Sequence, residues 1–362
     1  MKILLVSSQW APKHQTGLGF ASQQHAQYFL ELGYELKCVS LNDNNKDFDL
    51  NIKNRFHLIR NYRDKTEEIK GIIKHFKPDI IVVESLQSFI SEIFLFYGFK
   101  FNCKTILISH GISILPHKIS IKYIIKSLVY FFYLPILFYI TKKIDILFTL
   151  KKKDFDLRHL DSIFFLTFNK KKIIKKFNNI SRFEESKKTS LNQYNKPYFL
   201  CIGYLNDIKN QKQVLDIAKK NDDLNFRLIY STYNSSYLSK LKEIKTKYQI
   251  NNVEFINADK TNIKEEIKNC VAIINTSITE VQPLSIIEGF SLGKMFLSNN
   301  IKNLMHLKCG IVNKNFEQFI FNLKSLNENK DFKKEIDAST RDYYHQYFSS
   351  KINSKNFIIH DL

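Results

Sequence analysis

Two glutamates eight positions apart, Glu280 and Glu288, are the strongest candidates for chemistry in the sequence. They lie in the segment INTSITEVQPLSIIEGFSLGKMF, which indicates a strand, a short loop carrying Glu280, and a helix that Pro283 opens and that contains Glu288. The start of such a helix offers free backbone N–H groups and a positive dipole end, which suit a phosphate. The residues alone leave an alternative open, in which Glu280 only balances the helix dipole and Glu288 is a solvated surface residue.

A lysine occupies a similar position in an earlier strand-to-helix connection. In FLCIGYLNDIKNQKQVLDIAKK the strand ends at Gly203, the helix begins near Asn210, and Lys209 directly precedes it. A lysine there is a point charge that can bind a diphosphate. Alternatively, Lys209 is an ordinary surface lysine. We interpret Lys212 in this way.

The N-terminal half contributes two further candidates. Gly17 and Gly19 lie between the first strand and the first helix, but Ser22 replaces the third glycine of a dinucleotide-binding G-x-G-x-x-G motif. They indicate either a tight turn or a backbone that approaches a ligand. His110 follows the strand KTILIS and precedes Gly111, where it could donate to a phosphate or a sugar hydroxyl or have only a structural role.

We expect no metal site. Asp-Phe-Asp sequences at 47–49 and 154–156 could bind a divalent cation with a nucleotide sugar, but they lie in a polar surface stretch and on a predicted helix. The five cysteines are scattered and never form C-x-x-C, so they indicate neither disulfides nor zinc and fit a reducing cytoplasm. The sequence also lacks the P-loop motif of NTPases and the G-x-S-x-G motif of hydrolases.

The chain of 362 residues has a formal charge of +20, from 55 Lys+Arg against 35 Asp+Glu. The basic residues are dispersed and no zinc-finger, RRM or basic-zipper pattern occurs, which argues against specific nucleic-acid binding. We attribute the charge to the Lys, Asn and Ile bias of an AT-rich genome or to an anionic membrane partner.

The longest apolar run, Ser127 to Ile140, is shorter than the roughly 20 residues that span a bilayer. It indicates a buried or an interfacial helix.

Short apolar strands alternate with amphipathic helices in both halves, which predicts an α/β fold with parallel sheets. The predicted strands are 2–7, 35–41, 55–60, 79–85, 104–110, 144–150, 162–167, 197–203, 226–232, 253–257, 271–276, 295–299 and 310–313. Predicted helices in the first half are 19–32, 66–76, 86–96, 121–140 and 152–160. A polar linker, 181–197, separates Rossmann-like domains at 1–180 and 198–340, and a small-ligand site is expected in the cleft between them.

Four segments, in this order along the chain, resemble glycosyltransferase family 4 (glycosyl transferases group 1), the retaining GT-B enzymes that use nucleotide sugars. TGLGF matches the family's N-terminal glycine loop in position, ISHG resembles its histidine-containing loop, GYLNDIKN resembles its G-R-L-x-x-x-K-[GN] turn, and TEVQPLSIIEGFSLGK resembles its E-x7-E segment. The resemblance implies a GT-B architecture with two Rossmann-like domains facing a central cleft. The segment 341–362 resembles the C-terminal helices that cross back to the first domain.

The resemblance assigns roles to the C-terminal candidates. Glu288 is expected to bind the ribose hydroxyls of the nucleotide and Glu280 the donor sugar. Lys209 is expected to neutralise the leaving diphosphate, together with the backbone N–H groups around Leu284 and Ser285. No metal is required, because a lysine and a helix terminus stabilise the leaving group.

The remaining roles fall on the first domain and on the G-R-L turn. Gly17 and Gly19 are expected to let the backbone approach the phosphates or the acceptor, and His110 to contact the transferred sugar or its phosphate. Gly203 is expected among the nucleotide-binding residues. Tyr204 replaces the arginine of the family's G-R-L turn, which removes one expected cation.

A second departure follows Glu280, where Val281-Gln282-Pro283 replaces the common Gly-Phe-Gly and Pro283 has no N–H to donate. Lys212 could compensate for the arginine that Tyr204 replaces.

We therefore predict a metal-independent, retaining hexosyltransferase with a nucleotide-sugar donor and a glycan or lipid-linked acceptor. Its expected context is bacterial surface polysaccharide or lipopolysaccharide assembly in the cytoplasm, at the inner face of the plasma membrane. Two alternatives stay open: a non-catalytic nucleotide- or glycan-binding module on a degenerate GT-B fold, and a GT-B sugar-nucleotide epimerase.

Overall fold

The computed structural model describes residues 1–10, 16–41, 56–59, 66–112, 121–150, 160–183, 196–231 and 235–358. The chain divides into two compact units. The first unit comprises Met1–Phe177 and Ser354–Leu362, and the second comprises Asn178–Asn353.

The first unit contains a seven-stranded sheet in which all neighbouring strands are parallel. Its strands are β1 (Lys2–Val6), β2 (Glu35–Leu41), β3 (Phe56–Ile59), β4 (Ile80–Glu84), β5 (Lys104–Ser109), β6 (Ile146–Thr149) and β7 (Ile173–Lys176). Their spatial order is β3-β2-β1-β4-β5-β6-β7. Every residue of β4 is buried, as expected for an apolar strand of a parallel sheet that is covered on both faces.

The described helices of the first unit begin with α1, which a threonine caps. They are α1 (Gly17–Glu31), α2 (Thr66–Phe76), α3 (Ile90–Lys100), α4 (Ile121–Phe131), α5 (Leu134–Lys143) and α6 (Leu160–Phe168). Thr16 Oγ1 accepts a hydrogen bond from the Gly19 N–H at 3.1 Å, so the helix begins two residues earlier than the sequence predicts. Gly17 and Gly19 therefore lie in the first turn of α1, and their predicted placement in a loop is wrong.

The predicted strand 162–167 is also wrong, because this segment belongs to helix α6. Asp161 in the first turn accepts a hydrogen bond from the Ser162 N–H at 2.8 Å and another from the Ser109 hydroxyl. The short, largely apolar run SIFFLTF has no periodicity that separates a strand from a buried helix. The strand of this region is β7, which the sequence analysis missed.

The predicted helix 121–140 is two helices, α4 and α5, with a break after Phe131. Pro135 lies in the first turn of α5, where its missing N–H costs no intrahelical hydrogen bond. Most of the predicted helix 152–160 falls outside the described residues. Within the described ranges, no helix combines the length and apolar content needed to cross a membrane.

The second unit contains a six-stranded parallel sheet with the order β10-β9-β8-β11-β12-β13. Its strands are β8 (Tyr198–Ile202), β9 (Asn225–Tyr230), β10 (Val253–Asn257), β11 (Ile273–Asn275), β12 (Phe296–Ser298) and β13 (Gly310–Val312). This order is that of a Rossmann sheet, in which ligands bind beyond the carboxyl ends of the strands.

The described helices of the second unit include one that directly follows β11 and carries Glu288. They are α7 (Lys212–Lys220), α8 (Ser235–Lys247), α9 (Ile263–Asn269), α10 (Leu284–Ser291), α11 (Phe316–Glu328), α12 (Lys330–Tyr347) and α13 (Ser350–Ser354). The chain then re-enters the first unit, where the short helix Lys355–Phe357 buries Phe357 completely.

Candidate active site

Lys209 and Glu280, separated by 71 positions in the chain, form an ion pair at the carboxyl ends of two strands of the second unit. The Lys209 ammonium donates to Glu280 Oε1, and the Ser277 hydroxyl donates to the same oxygen at 2.7 Å. Asn303 Nδ2 also donates to the Glu280 carbonyl at 2.8 Å. The Glu280 carboxylate is thus fixed in position beside a cation.

Two loops hold this pair together through their backbones. The Ile278 N–H donates to the Ile208 carbonyl at 2.8 Å, and the Thr276 hydroxyl donates to the Lys209 carbonyl at 3.0 Å. Gly203 lies against the stem of Lys209, since a Cβ at this glycine would be 3.9 Å from Lys209 Cδ. This distance is an ordinary contact, so the packing of the second unit does not itself require glycine at 203.

The start of helix α10 follows Glu280 in the chain. Pro283 is the N-cap and has extended backbone angles, and no side chain caps the helix. Because the first N–H groups of a helix lack intrahelical acceptors, those of Leu284 and Ser285 are available to an anion. The residues that replace the family's Gly-Phe-Gly therefore leave the helix terminus in place.

Glu288 is buried in helix α10 with only 1% of its surface exposed, so its interpretation as a solvated surface residue is wrong. Its two carboxylate oxygens accept hydrogen bonds from Arg182, from Nε to Oε1 and from Nη2 to Oε2 at 3.0 Å. Burial raises the pKa of Glu288 above its ordinary value, although the Arg182 guanidinium opposes this shift. Helix α10 packs tightly on β11, because a Cβ at Gly289 would be 2.5 Å from Ile273 Cδ1.

Sequence reasoning missed Arg182, which lies in the segment interpreted as a linker, 106 positions before Glu288. No local pattern distinguishes it from the other basic residues of the chain.

Lys212, the candidate replacement for the missing arginine, is exposed and forms an ion pair with Asp216 at 2.8 Å on α7. Tyr204 accepts a hydrogen bond at its carbonyl from Gln211 Nε2 at 2.7 Å.

In the first unit, His110 belongs to a buried cluster with two residues that the sequence analysis did not select. His110 Nε2 is 2.9 Å from Glu84 Oε2, and His25 Nδ1 is 2.6 Å from Glu84 Oε1. Glu84 ends strand β4, His25 lies on helix α1, and His110 directly follows β5. Their ligand atoms lie within 4.8 Å of one another, and both residue types bind metals such as Zn²⁺.

The other sequence candidates in the first unit have less defined surroundings. A Cβ at Gly17 would meet no heavy atom within 4 Å, so packing alone does not require glycine there. The Asp-Phe-Asp sequences at 47–49 and 154–156 lie outside the described residues.

Comparisons with known proteins identify the family of the second unit and the fold of the chain. Residues 182–338 match the family model of glycosyl transferases group 1. No curated sequence matches the chain significantly.

Solved structures resemble the chain over nearly its whole length. Sucrose-phosphate synthase from Thermosynechococcus elongatus superposes with a TM-score of 0.78 at 10% identity, covering 99% of this chain and 97% of that one. HepE from Anabaena, solved in complex with UDP, has a TM-score of 0.72 at 13% identity and covers 99% and 98%. WaaG, a glycosyltransferase involved in lipopolysaccharide biosynthesis, has a TM-score of 0.70 at 12% identity and covers 98% and 97%. The chain therefore carries a glycosyl transferases group 1 domain on a GT-B fold, and it is a glycosyltransferase.

Proposed function

We propose that the protein transfers a sugar from a nucleotide-sugar donor to a glycan or lipid-linked acceptor. The observation that carries the proposal is the ion pair of Lys209 and Glu280 beside the uncapped start of α10, which also bears the buried Glu288. The structural neighbour HepE was solved with UDP, which supports a nucleotide as part of the donor.

In this proposal the second unit stabilises the leaving nucleoside diphosphate. Breaking the sugar–phosphate bond develops negative charge on the diphosphate, and fixed positive groups lower the energy of that state. Lys209 supplies a full charge, and the N–H groups of Leu284 and Ser285 supply the helix dipole. These groups take the place of a metal ion, so we expect the transfer rate to be unchanged by EDTA.

The two glutamates bind hydroxyl groups of the donor. Glu280 Oε1 contacts Lys209 and Ser277, and Oε2, which has no hydrogen bond to any residue that the structure describes, can bind the sugar. A carboxylate accepts about four hydrogen bonds, and Arg182 uses two of those on Glu288. The Glu288 carboxylate therefore retains acceptor capacity for the ribose hydroxyls beyond its two hydrogen bonds from Arg182.

A panel of UDP-, GDP- and ADP-sugars tests the donor, because a ligand that binds the folded state raises the melting temperature. We expect one nucleotide class to stabilise the wild type and to support transfer, and Glu288→Ala to lose both effects. Glu254→Ala, which changes an exposed glutamate of the same unit, is the control. Tight binding without turnover would identify a binding module instead, and conversion of the donor without an acceptor would identify an epimerase.

We extend the proposal to retention of the anomeric configuration, which the resemblance of the E-x7-E segment supports. The test is the anomeric configuration of the product, read by NMR from the coupling constant of the anomeric proton. An inverted product would overturn this part of the proposal and leave sugar transfer intact.

We also propose that the protein works in the cytoplasm at an anionic membrane surface, in bacterial surface polysaccharide or lipopolysaccharide assembly. WaaG, one of the structural neighbours, is involved in lipopolysaccharide biosynthesis. Helices α4 and α5 expose large apolar side chains, and Phe131 and Phe132 are 63% and 80% exposed. The 52 residues between Glu92 and Asp145 contain seven lysines and no acidic residue. An apolar surface with a basic surround fits an anionic bilayer.

Flotation with vesicles tests this placement. We expect the wild type to float with vesicles containing phosphatidylglycerol and not with phosphatidylcholine vesicles. The double change Phe131→Ser/Phe132→Ser should abolish flotation, whereas Phe321→Ser, at a phenylalanine of the second unit that is 68% exposed, should not. Failure of the wild type to float with anionic vesicles would contradict the membrane proposal.

A further inference from the structure

Glu84, His25 and His110 form a largely buried polar cluster in the first unit. Glu84 is fully buried, and the side chains of His25 and His110 are 4% and 15% exposed. The ring of His25 lies 4.9 Å from the Phe357 ring and 5.2 Å from the Phe177 ring. His110 is therefore the member of the cluster that a ligand can reach most readily.

The carboxylate of Glu84 is bonded at both oxygens, one to each imidazole. Burial alone would raise the pKa of Glu84, but the charge of His25 and the hydrogen bonds from His110 and His25 lower it to about 2. Glu84 is then ionised at neutral pH and can only accept hydrogen bonds. Each histidine must donate to it, His25 from Nδ1 and His110 from Nε2.

We propose that Glu84 is a positioning residue that locks His110 in the form protonated on Nε2, so that Nδ1 is the atom that meets a hydroxyl group of the substrate. His110 Nδ1 has no hydrogen bond to any residue that the structure describes. It accepts from a hydroxyl when the ring is neutral and donates when the ring is charged, while Nε2 keeps its proton toward Glu84 in both states. The contact with a substrate hydroxyl rests on the proposed function, whereas the protonation of His110 on Nε2 does not.

His25 stabilises this arrangement from the other side of the carboxylate. Its bond to Oε1 holds the Glu84 carboxylate so that Oε2 stays directed at His110. Phe357, contributed by the C-terminal segment, packs against both His25 and Phe177. The low dielectric of this aromatic surrounding strengthens both hydrogen bonds.

The three groups are also of the types that bind divalent metals. His25 Nδ1 and His110 Nε2, however, each lie at hydrogen-bond distance from a different oxygen of Glu84, and a proton on each of these two nitrogens completes both hydrogen bonds without a metal ion. The positioning proposal therefore predicts histidine signals that do not change when EDTA is added.

Long-range ¹H–¹⁵N correlation spectra of protein labelled at histidine test the proposal without any substrate. The His110 signals are assigned by their loss in His110→Ala. We expect wild-type His110 to be protonated on Nε2 near neutral pH and to keep this pattern in EDTA. Protonation on Nδ1 alone, averaging between the two nitrogens, or a change caused by EDTA would each overturn the proposal. These wild-type measurements do not depend on the folding of any Glu84 variant.

Glu84→Gln supplies a second test, because an amide has one accepting oxygen and one donating nitrogen. The amide nitrogen donates to one of the two rings, and the facing nitrogen of that ring must then accept. At least one ring therefore carries its proton on its other nitrogen. Glu92→Gln is the matched control, since Glu92 is a buried glutamate of the same unit that is bonded to Tyr133 and the Gln87 N–H. Unchanged histidine signals in Glu84→Gln, or the same change in Glu92→Gln, would contradict the proposal.

Transfer kinetics give the functional readout. Glu84→Gln is expected to lower kcat by about 10–100-fold through misplacement of His110, with the donor KM within about twofold of the wild type. An equal rise in KM would instead indicate lost donor binding and would contradict the positioning role. A locked His110 in a protein without transfer activity would overturn the transferase proposal alone.

Discussion

Glu84 in the first unit and Glu288 in the second are equally buried carboxylates with opposite electrostatic outcomes. Two imidazoles lower the pKa of Glu84 to about 2, whereas the pKa of Glu288 stays above its ordinary value despite Arg182. Burial acts in the same direction on both groups, so the difference lies in the partners. The two imidazoles on Glu84 outweigh the effect of burial, whereas the single guanidinium on Glu288 offsets it only in part.

The opposite pKa shifts suit the two carboxylates to different roles. Glu84 is a fixed acceptor that orients a neighbouring side chain. Glu288 keeps acceptor capacity for the hydroxyl groups of a ligand, in the same helix whose first N–H groups can bind a phosphate. Substitutions and changes of pH that act on one unit at a time can test this division.

Lys209→Met tests whether catalysis depends on the second unit's cation. Removing one charged group that stabilises a leaving diphosphate should lower kcat by about 10²–10³-fold. Steady-state kinetics with the donor found in the nucleotide-sugar panel measure the effect. Lys212→Met, three positions further on and exposed, should retain nearly the wild-type kcat. Equal losses in both variants would remove the special role of Lys209.

The pH dependence of stability tests the two carboxylates directly. The folded pKa of Glu84 is below its unfolded value of about 4.3, so its contribution of about 3 kcal/mol is present above that pH and is lost as pH falls toward 2. The folded pKa of Glu288 is raised, so its contribution is full below about pH 4.3 and declines as pH rises through the folded value.

Urea unfolding of wild type, Glu84→Gln and Glu288→Gln across this pH range measures both contributions. The stability difference between wild type and Glu84→Gln should shrink on acidification, and the difference for Glu288→Gln should move in the opposite direction. If the stability differences of the two variants from wild type changed with pH in the same direction, the opposite pKa shifts of Glu84 and Glu288 would be contradicted.

Arg182→Met tests the partner of Glu288. Losing the guanidinium leaves a buried carboxyl group that can escape part of the penalty by taking up a proton, so we expect a loss of about 2 kcal/mol in the free energy of unfolding. The loss should be smaller at pH 5 than at pH 8. A loss that does not vary with pH would indicate that Arg182 contributes by packing rather than by charge.

Gly17→Ala carries the smallest expected effect on stability, within about 0.5 kcal/mol, because the position is helical and a Cβ there meets no heavy atom. A fall in transfer rate without a fall in melting temperature would support the predicted approach of a ligand to this backbone. Unchanged kinetics would remove Gly17 from the site.

The fold followed from the sequence wherever strands and helices have distinct periodicities. β4 is a short buried apolar run and α2 has regular amphipathic spacing, and both were predicted correctly. Prediction failed at α6, where a brief and largely apolar run fits a strand and a helix equally well. It also missed the break between α4 and α5, since Pro135 is compatible with a helix start as well as with an interruption.

The residues of the candidate site were likewise predictable only where the sequence signal is local. Glu280, Lys209 and Glu288 could be selected from the sequence because loops at strand ends and helix starts are recognisable locally. Arg182, His25 and Glu84 could not, because their importance depends on partners far away in the chain. His25 in particular has no distinguishing position in the sequence.

The sequence by itself therefore determined the alternation of strands and helices, the division into two α/β halves, and the residues that local geometry presents at strand ends. Only the tertiary structure decided which charges meet: Lys209 with Glu280, Arg182 with Glu288, and His25 and His110 with Glu84. The physical reason is that periodicity and turn chemistry act over a few residues. The pKa of a buried carboxylate, in contrast, depends on groups that the fold brings within hydrogen-bond distance from 26 to 106 positions away.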